Sequence, residues 1–212
     1  MENLSFNKFN QIRNSLLNKH KDKDHIVIKG LNNILISAPH GVSQVRLGKY
    51  KAPEIGSLST AIYLQQQTNC FLIAKTQNNY DDANFDEDSL YKQTISSLIH
   101  KNDIKYILDF HGLAAHRDCD INLGTHLGQN IKNNPELLNS LHEKLIENDF
   151  KVSIDQPFMG GSRTISGTMI NKFNNIWTIQ IEINCAITNR KENFDLNVKL
   201  LNTLIDWIKT IK

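Results

Sequence analysis

Short runs of β-branched residues and leucine recur along this chain, and longer segments with helical spacing lie between most of them. "HIVIKG", "NILISA", "CFLIAK", "IKYILDFHG", "DINLGT", "KVSID" and "IWTIQIEIN" have the length and residue types of strands. The spacing predicts helices over residues 6–18, in "SLSTAIYLQQQT" with Ser57 as its cap, and in "DEDSLYKQTISSLIHKN" with acids in the first turn and cations in the last. Two more follow, in "PELLNSLHEKLIEND" and over residues 192–209. "HIVIKG" and "NILISA" read as a pair of strands joined by a turn, and "KHKDKD" as a solvated connector. This alternation implies an α/β fold of three layers, a mainly parallel or mixed central sheet covered by helices on both faces. With 212 residues and no repeat or low-complexity linker, the chain is expected to form one domain over residues 1–212.

Composition narrows the partners. A formal charge of +2 is too small to imply nucleic acid or an anionic membrane, so a small molecule is the expected partner. Cys70, Cys119 and Cys185 are odd in number and widely spaced, as expected of reduced thiols rather than a disulfide framework. No continuous apolar leader opens the sequence and no run approaches a membrane span, so a cytoplasmic location is expected. The oligomeric state is not legible.

In sheets of this kind functional groups collect at the carboxyl edge. "ILISAPHG" delivers His40 there and "YILDFHG" delivers His111, each histidine followed by glycine. A single imidazole is usually structural, but two placed alike suggest a shared metal. Zn2+ favours neutral imidazole, and a catalytic site uses three protein ligands. The loop after His40 holds one carboxylate, Glu54, which reads equally well as the third ligand or as a solvated loop acid. Asp109, two residues before His111, shares its face of the strand and suits a supporting role toward that histidine.

"IWTIQIEIN" alternates strictly, placing Gln180, Glu182 and Asn184 on one side. That stripe either faces water from an edge strand or lines a site. In the second case Glu182 is the natural general base, able to take a proton from a metal-activated water. Arg163, in "PFMGGSRTISG", has a planar fork suited to a substrate carboxylate or an oxyanion. Arg117 is a weaker candidate of the same kind, and Asn184 is a further candidate for binding substrate. His116 and His126 flank the region without being singled out, and acids on both sides of Cys119 disfavour its thiolate. The nucleophile-elbow, phosphate-loop, dinucleotide and H-E-x-x-H signatures are missing.

In order, "SAPHG", "DFHG", "DINLGT", "PFMGG" and "QIEIN" resemble the motif series of the N-formylglutamate amidohydrolase family, related to zinc carboxypeptidases, over residues 34–185. The resemblance implies a zinc-exopeptidase-like α/β fold and one divalent metal, Zn2+, held by two histidines and an acid. On this sequence these positions are His40, His111 and, by its place after the first motif, Glu54. It also puts Glu182 at the catalytic acid position and Asp109 in the D-x-H motif. Where the family carries D-L-N-R, this chain has "NNYDDANFD", with Asp82 and Asn84 but no arginine following, which weakens the case for formylglutamate itself. The reading implied is a zinc-dependent amidohydrolase of a small N-acyl amino acid. A carboxypeptidase-type or γ-glutamyl peptidase is the alternative within the fold, and a non-catalytic metal- or ligand-binding protein the alternative outside enzymes.

Overall fold

The computed structural model describes residues 4–211. Helix α1 (Phe6–Lys19) opens on Ser5, whose hydroxyl accepts from the Lys8 amide. Strands β1 (His25–Ile28), β2 (Ile34–Ala38), β5 (Phe71–Lys75), β6 (Tyr106–Leu113), β7 (Ile121–Gly124), β8 (Val152–Ile154) and β9 (Trp177–Asn184) form a seven-stranded sheet in the order β1-β5-β2-β6-β9-β7-β8. Neighbours from β5 through β2 and β6 to β9 are parallel, as are β7 and β8, while β1 runs antiparallel to β5 and β7 antiparallel to β9. The expected mixed, mainly parallel sheet is therefore the one observed.

One expectation about strands is corrected, and one of two open alternatives falls away. β1 and β2 do not pair, because β5 lies between them. The connecting chain crosses the start of β5 at close quarters: Leu31 N donates to Asn69 O at 2.8 Å, and a side chain at Gly30 would collide with the backbone of Cys70 and Phe71. β9 is no edge strand either. It lies between β6 and β7 and is buried along all eight of its residues, so its polar side faces the interior.

Helices cover both faces. On one, α2 (Ile55–Thr68), α4 (Pro135–Glu147) and α7 (Phe194–Ile208) pack over Ile34, Ile36, Leu108, Phe110, Ile179 and Ile181, and α1 lies against α2 and, through Phe6 and Phe9, against Phe194. On the other, α3 (Leu90–Asn102) and α5 (Ile165–Lys172) pack over Leu35, Ile73 and Ile107. Among the described residues no helix is long and apolar enough to cross a membrane.

Several boundaries shift for local reasons. α2 begins at Ile55, with Glu54 rather than Ser57 at its cap position, and the Ser57 hydroxyl donates to Glu54 O at 2.7 Å. α3 begins only after Ser89, whose hydroxyl accepts from Lys92 N, so the acids expected in its first turn lie upstream of it. α5 starts within "GGSRTISG", whose glycines give no helical pattern; Thr164 caps it by accepting from Gly167 N. Also unforeseen are a small hairpin, β3 (Gln44–Arg46) with β4 (Lys49–Lys51), in the loop after His40, and a one-turn helix, α6 (Cys185–Thr188), after β9.

Candidate metal centre and active site

The strand register gathers the polar side chains. Ser37 on β2 pairs with Asp109 on β6, Asp109 with Gln180 on β9, and His111 with Glu182, so all five share one face of the sheet. That face is apolar lower down, under α3 and α5, and becomes polar toward the carboxyl edge. His40 follows the end of β2, where Pro39 cannot continue the ladder. His111 differs from expectation: β6 continues past it through Gly112 to Leu113, so no turn follows it.

His40, Glu54 and His111 converge, with one potential ligand atom from each lying within 4.8 Å of the others. His40 Nδ1 is 2.9 Å from Glu54 Oε1 and 3.2 Å from His111 Nδ1, and His111 Nδ1 is 3.4 Å from Glu54 Oε2. Both imidazoles turn their far nitrogens to buried carboxylates: His40 Nε2 lies 2.8 Å from Asp82 Oδ1, and His111 Nε2 lies 3.1 Å from Asp109 Oδ2. A carboxylate only accepts, so Asp82 and Asp109 each favour a proton on the Nε2 they face, and the two Nδ1 atoms, turned toward Glu54 and each other, are the nitrogens that a cation would take once any proton shared with Glu54 has left.

This arrangement fits a divalent cation. Tetrahedral zinc at ~2.0–2.1 Å from nitrogen separates its ligand atoms by about 3.3 Å, close to the 3.2 Å between the two Nδ1 atoms and to the 2.9 and 3.4 Å from them to one or other oxygen of Glu54. A carboxylate behind each ligating histidine is the usual way of fixing tautomer and ring direction. Gly112 completes the fit, donating its N–H to Glu54 Oε2 at 2.9 Å; a Cβ there would press on Glu54 Cβ at 3.1 Å.

Electrostatics reflect the crowding. Burial disfavours charge on both imidazoles, yet the facing carboxylates outweigh it and raise both pKa values, that of His111 well above ordinary. Burial pushes the Glu54 and Asp82 carboxyls up, and the histidines, with Arg46 at Asp82, more than reverse this, holding both well below the ordinary carboxylate range. Glu182 behaves oppositely: burial dominates and its pKa is pushed up to about 7. Gln180 Nε2 donates to Glu182 Oε1 at 2.7 Å, and among the described residues the other Glu182 oxygen has no hydrogen-bond partner.

A cavity of about 160 Å³ opens on this cluster. His40, Glu54, His111, Gln180 and Glu182 form its polar wall, and Arg46, Lys51, Asn84, Phe85, Phe158 and Arg163 surround them. Of the residues singled out in the sequence, His40, Glu54, His111, Glu182 and Arg163 line this cavity, and Asp109 lies behind His111. Arg117 and Asn184 are not brought to it. Arg117 lines a separate groove with His116 and Lys151, its guanidinium 6.0 Å from the Phe158 ring. Asn184 donates to the Arg117 and Cys119 carbonyls and caps α6 through Ala186 N, so its polar atoms are committed to backbone. Asp82, the partner of His40, lies in "NNYDDANFD", where nothing in the local pattern marks it as such. Arg46 likewise lines the cavity without any signal in the sequence.

No protein-family model and no curated protein sequence matches this chain. Solved structures match it in fold. A gene product of Agrobacterium tumefaciens, Atu2144, aligns with a TM-score of 0.66 and 10% identity over 93% of this chain and 97% of its own. The N-formylglutamate amidohydrolase of Ralstonia eutropha JMP134 aligns with a TM-score of 0.58 and 13% identity, over 88% of this chain and 98% of its own. A bacteriophage poly-gamma-glutamate hydrolase aligns with a TM-score of 0.53 and 14% identity, over 88% and 86%. At such identities the likeness is one of fold.

Proposed function

We propose that the chain is a metal-dependent hydrolase of C–N amide bonds, acting on a small N-acyl amino acid such as N-formylglutamate or a related amide that bears a carboxylate. The observation that carries this reading is the meeting of His40, Glu54 and His111 with Glu182 in one cavity, each histidine backed by its own carboxylate. Zn2+ held by those three residues would supply Lewis acidity, polarising an amide carbonyl and lowering the pKa of a water.

The remaining work falls to the protein. Asp82 and Asp109 keep both histidines with Nδ1 inward. Gln180 ties one Glu182 oxygen and leaves the other to face the cavity. That carboxylate, made more basic by its burial, serves to take a proton from water and return it to the leaving nitrogen. Arg163 steadies a substrate carboxylate or the developing oxyanion. Cavities for drug-sized ligands run to roughly 300–1,000 Å³, so the 160 Å³ here favours a small amide over an extended peptide.

Metal analysis and an amide-hydrolysis screen test the proposal. One zinc per chain is expected, lost in His111→Ala. Glu182→Gln should retain the metal while kcat falls by about 10²–10⁴-fold. Undiminished turnover in Glu182→Gln would remove the assigned base, and a peptide cut without release of an acyl group from N-acyl amino acids would favour the peptidase alternative.

A further inference from the structure

Two guanidinium groups border the cavity, and they are held very differently. Arg46 comes from the β3–β4 hairpin and donates Nε–H to Asp82 Oδ2 at 2.6 Å, while the other oxygen of Asp82 faces His40 Nε2. Its guanidinium lies 5.0 Å from the centre of the Phe85 ring. With Nε used, its two terminal nitrogens remain, and among the described residues neither has a hydrogen-bond partner. Arg163 also lies near Phe85, at 5.1 Å, but its side chain makes no hydrogen bond or ion pair among the described residues and it is exposed. Asn84 sits beside them, its Oδ1 accepting from Ile165 N at 2.8 Å, which leaves its amide nitrogen as a second donor lining the cavity.

We infer that Arg46, clamped between Asp82 and the face of Phe85, is the residue that binds the substrate's carboxylate and sets a preference for acids over their amides. A guanidinium already fixed by an ion pair and an aromatic face loses little freedom when it engages an anion, whereas Arg163 must be ordered at that moment. The terminal nitrogens of Arg46 form the fork that pairs with a carboxylate in two parallel bonds. Phe85 follows Asn84 in the chain, and the fold lays Arg46 across its ring. The inference rests on the proposed reading that the substrate carries a carboxylate, and it moves the main anchoring role from Arg163 to Arg46.

The test is calorimetric titration of the full chain, zinc-loaded and metal-free, with N-acetylglutamate and its two monoamides, in the Glu182→Gln background so that turnover does not interfere. The chain should prefer the diacid to at least one monoamide by about 10–100-fold, the worth of a charge-assisted pair. Arg46→Gln keeps a donor for Asp82 but loses the charge, and should bring that ratio to within about threefold with zinc content unchanged. Arg46→Lys should fall between, and Arg163→Gln should keep most of the preference.

Retained preference in Arg46→Gln, or its loss only in Arg163→Gln, would overturn the inference. So would loss of preference in Arg46→Gln together with zinc loss, which would mean Arg46 acts through Asp82 and His40. If the unmutated chain hydrolyses no N-acyl amino acid yet prefers the diacid through Arg46, the proposed activity fails and this inference stands. If it binds the diacid no better than the monoamides, the inference fails whatever the chain hydrolyses.

Discussion

Each histidine of the cluster is followed by a glycine, and in both cases the reason is space. A Cβ on Gly41 would strike Leu58 Cδ2 at 2.5 Å, and one on Gly112 would reach Glu54 Cβ at 3.1 Å. The first keeps the His40 turn pressed onto α2, and the second lets the acid at the start of α2 lie beside His111. Gly112→Ala should therefore weaken zinc binding by about tenfold or more through displacement of Glu54. Its thermal stability should move by no more than about 1–2 kcal/mol, because the contact is with a flexible side chain and the strand backbone gains from alanine. Competition against a chromophoric chelator, alongside a melting curve, separates the two effects. An unchanged zinc affinity would mean that Glu54 is not a ligand.

β5 ends in a buried cation that organises its surroundings. Lys75 Nζ reaches Asp24 and Asp81, so it ties the entry of β1 to the loop that carries Asp82 and Asn84. Lys75→Met leaves two carboxylates facing each other without their cation and should cost about 3–5 kcal/mol in urea unfolding. A loss under 1 kcal/mol would show the network to be dispensable. On α3, Lys92 is almost fully buried and donates to the Asp86 and Arg163 carbonyls, holding the two loops that flank the cavity. Burial lowers its pKa to about 8 from 10.5. Between those values the unfolded chain binds more protons than the folded one, so this group's contribution to stability rises with pH across that window. Relative to Lys92→Met, the wild type should gain about 2 kcal/mol from pH 8 to 10.5. A difference that stays flat or falls would contradict the assigned burial.

The three candidate ligands belong to three elements: the turn after β2, the start of α2, and β6. A metal bridging them binds only the folded chain, so it should stabilise the whole molecule. At a free zinc concentration about 100 times Kd the gain is about 2.7 kcal/mol, or roughly 5–10 °C in Tm for a chain of this size. The same titration on His111→Ala should give no shift. A shift of equal size in that variant would place the metal elsewhere.

What the sequence by itself determined is what local pattern can encode. The alternation of strand and helix periods specified an α/β sheet covered on both faces. His40 just past the end of β2, the side of β6 shared by Asp109 and His111, and Glu182 on an alternating strand were legible because spacing along one strand fixes which side chains share a face, although β6 runs on past His111. Tertiary structure decided the rest, since strand order and loop packing join residues far apart in the chain. It put β5 between β1 and β2 and buried β9 in the sheet, turning the polar stripe from an open alternative into part of the cavity wall. It brought Asp82 to His40 and set Arg46 of a hairpin against Phe85. It also directed Asn184 to backbone carbonyls and Arg117 to another groove. None of these pairings has a period to read; each follows from which surfaces meet when the apolar faces of sheet and helices are buried together.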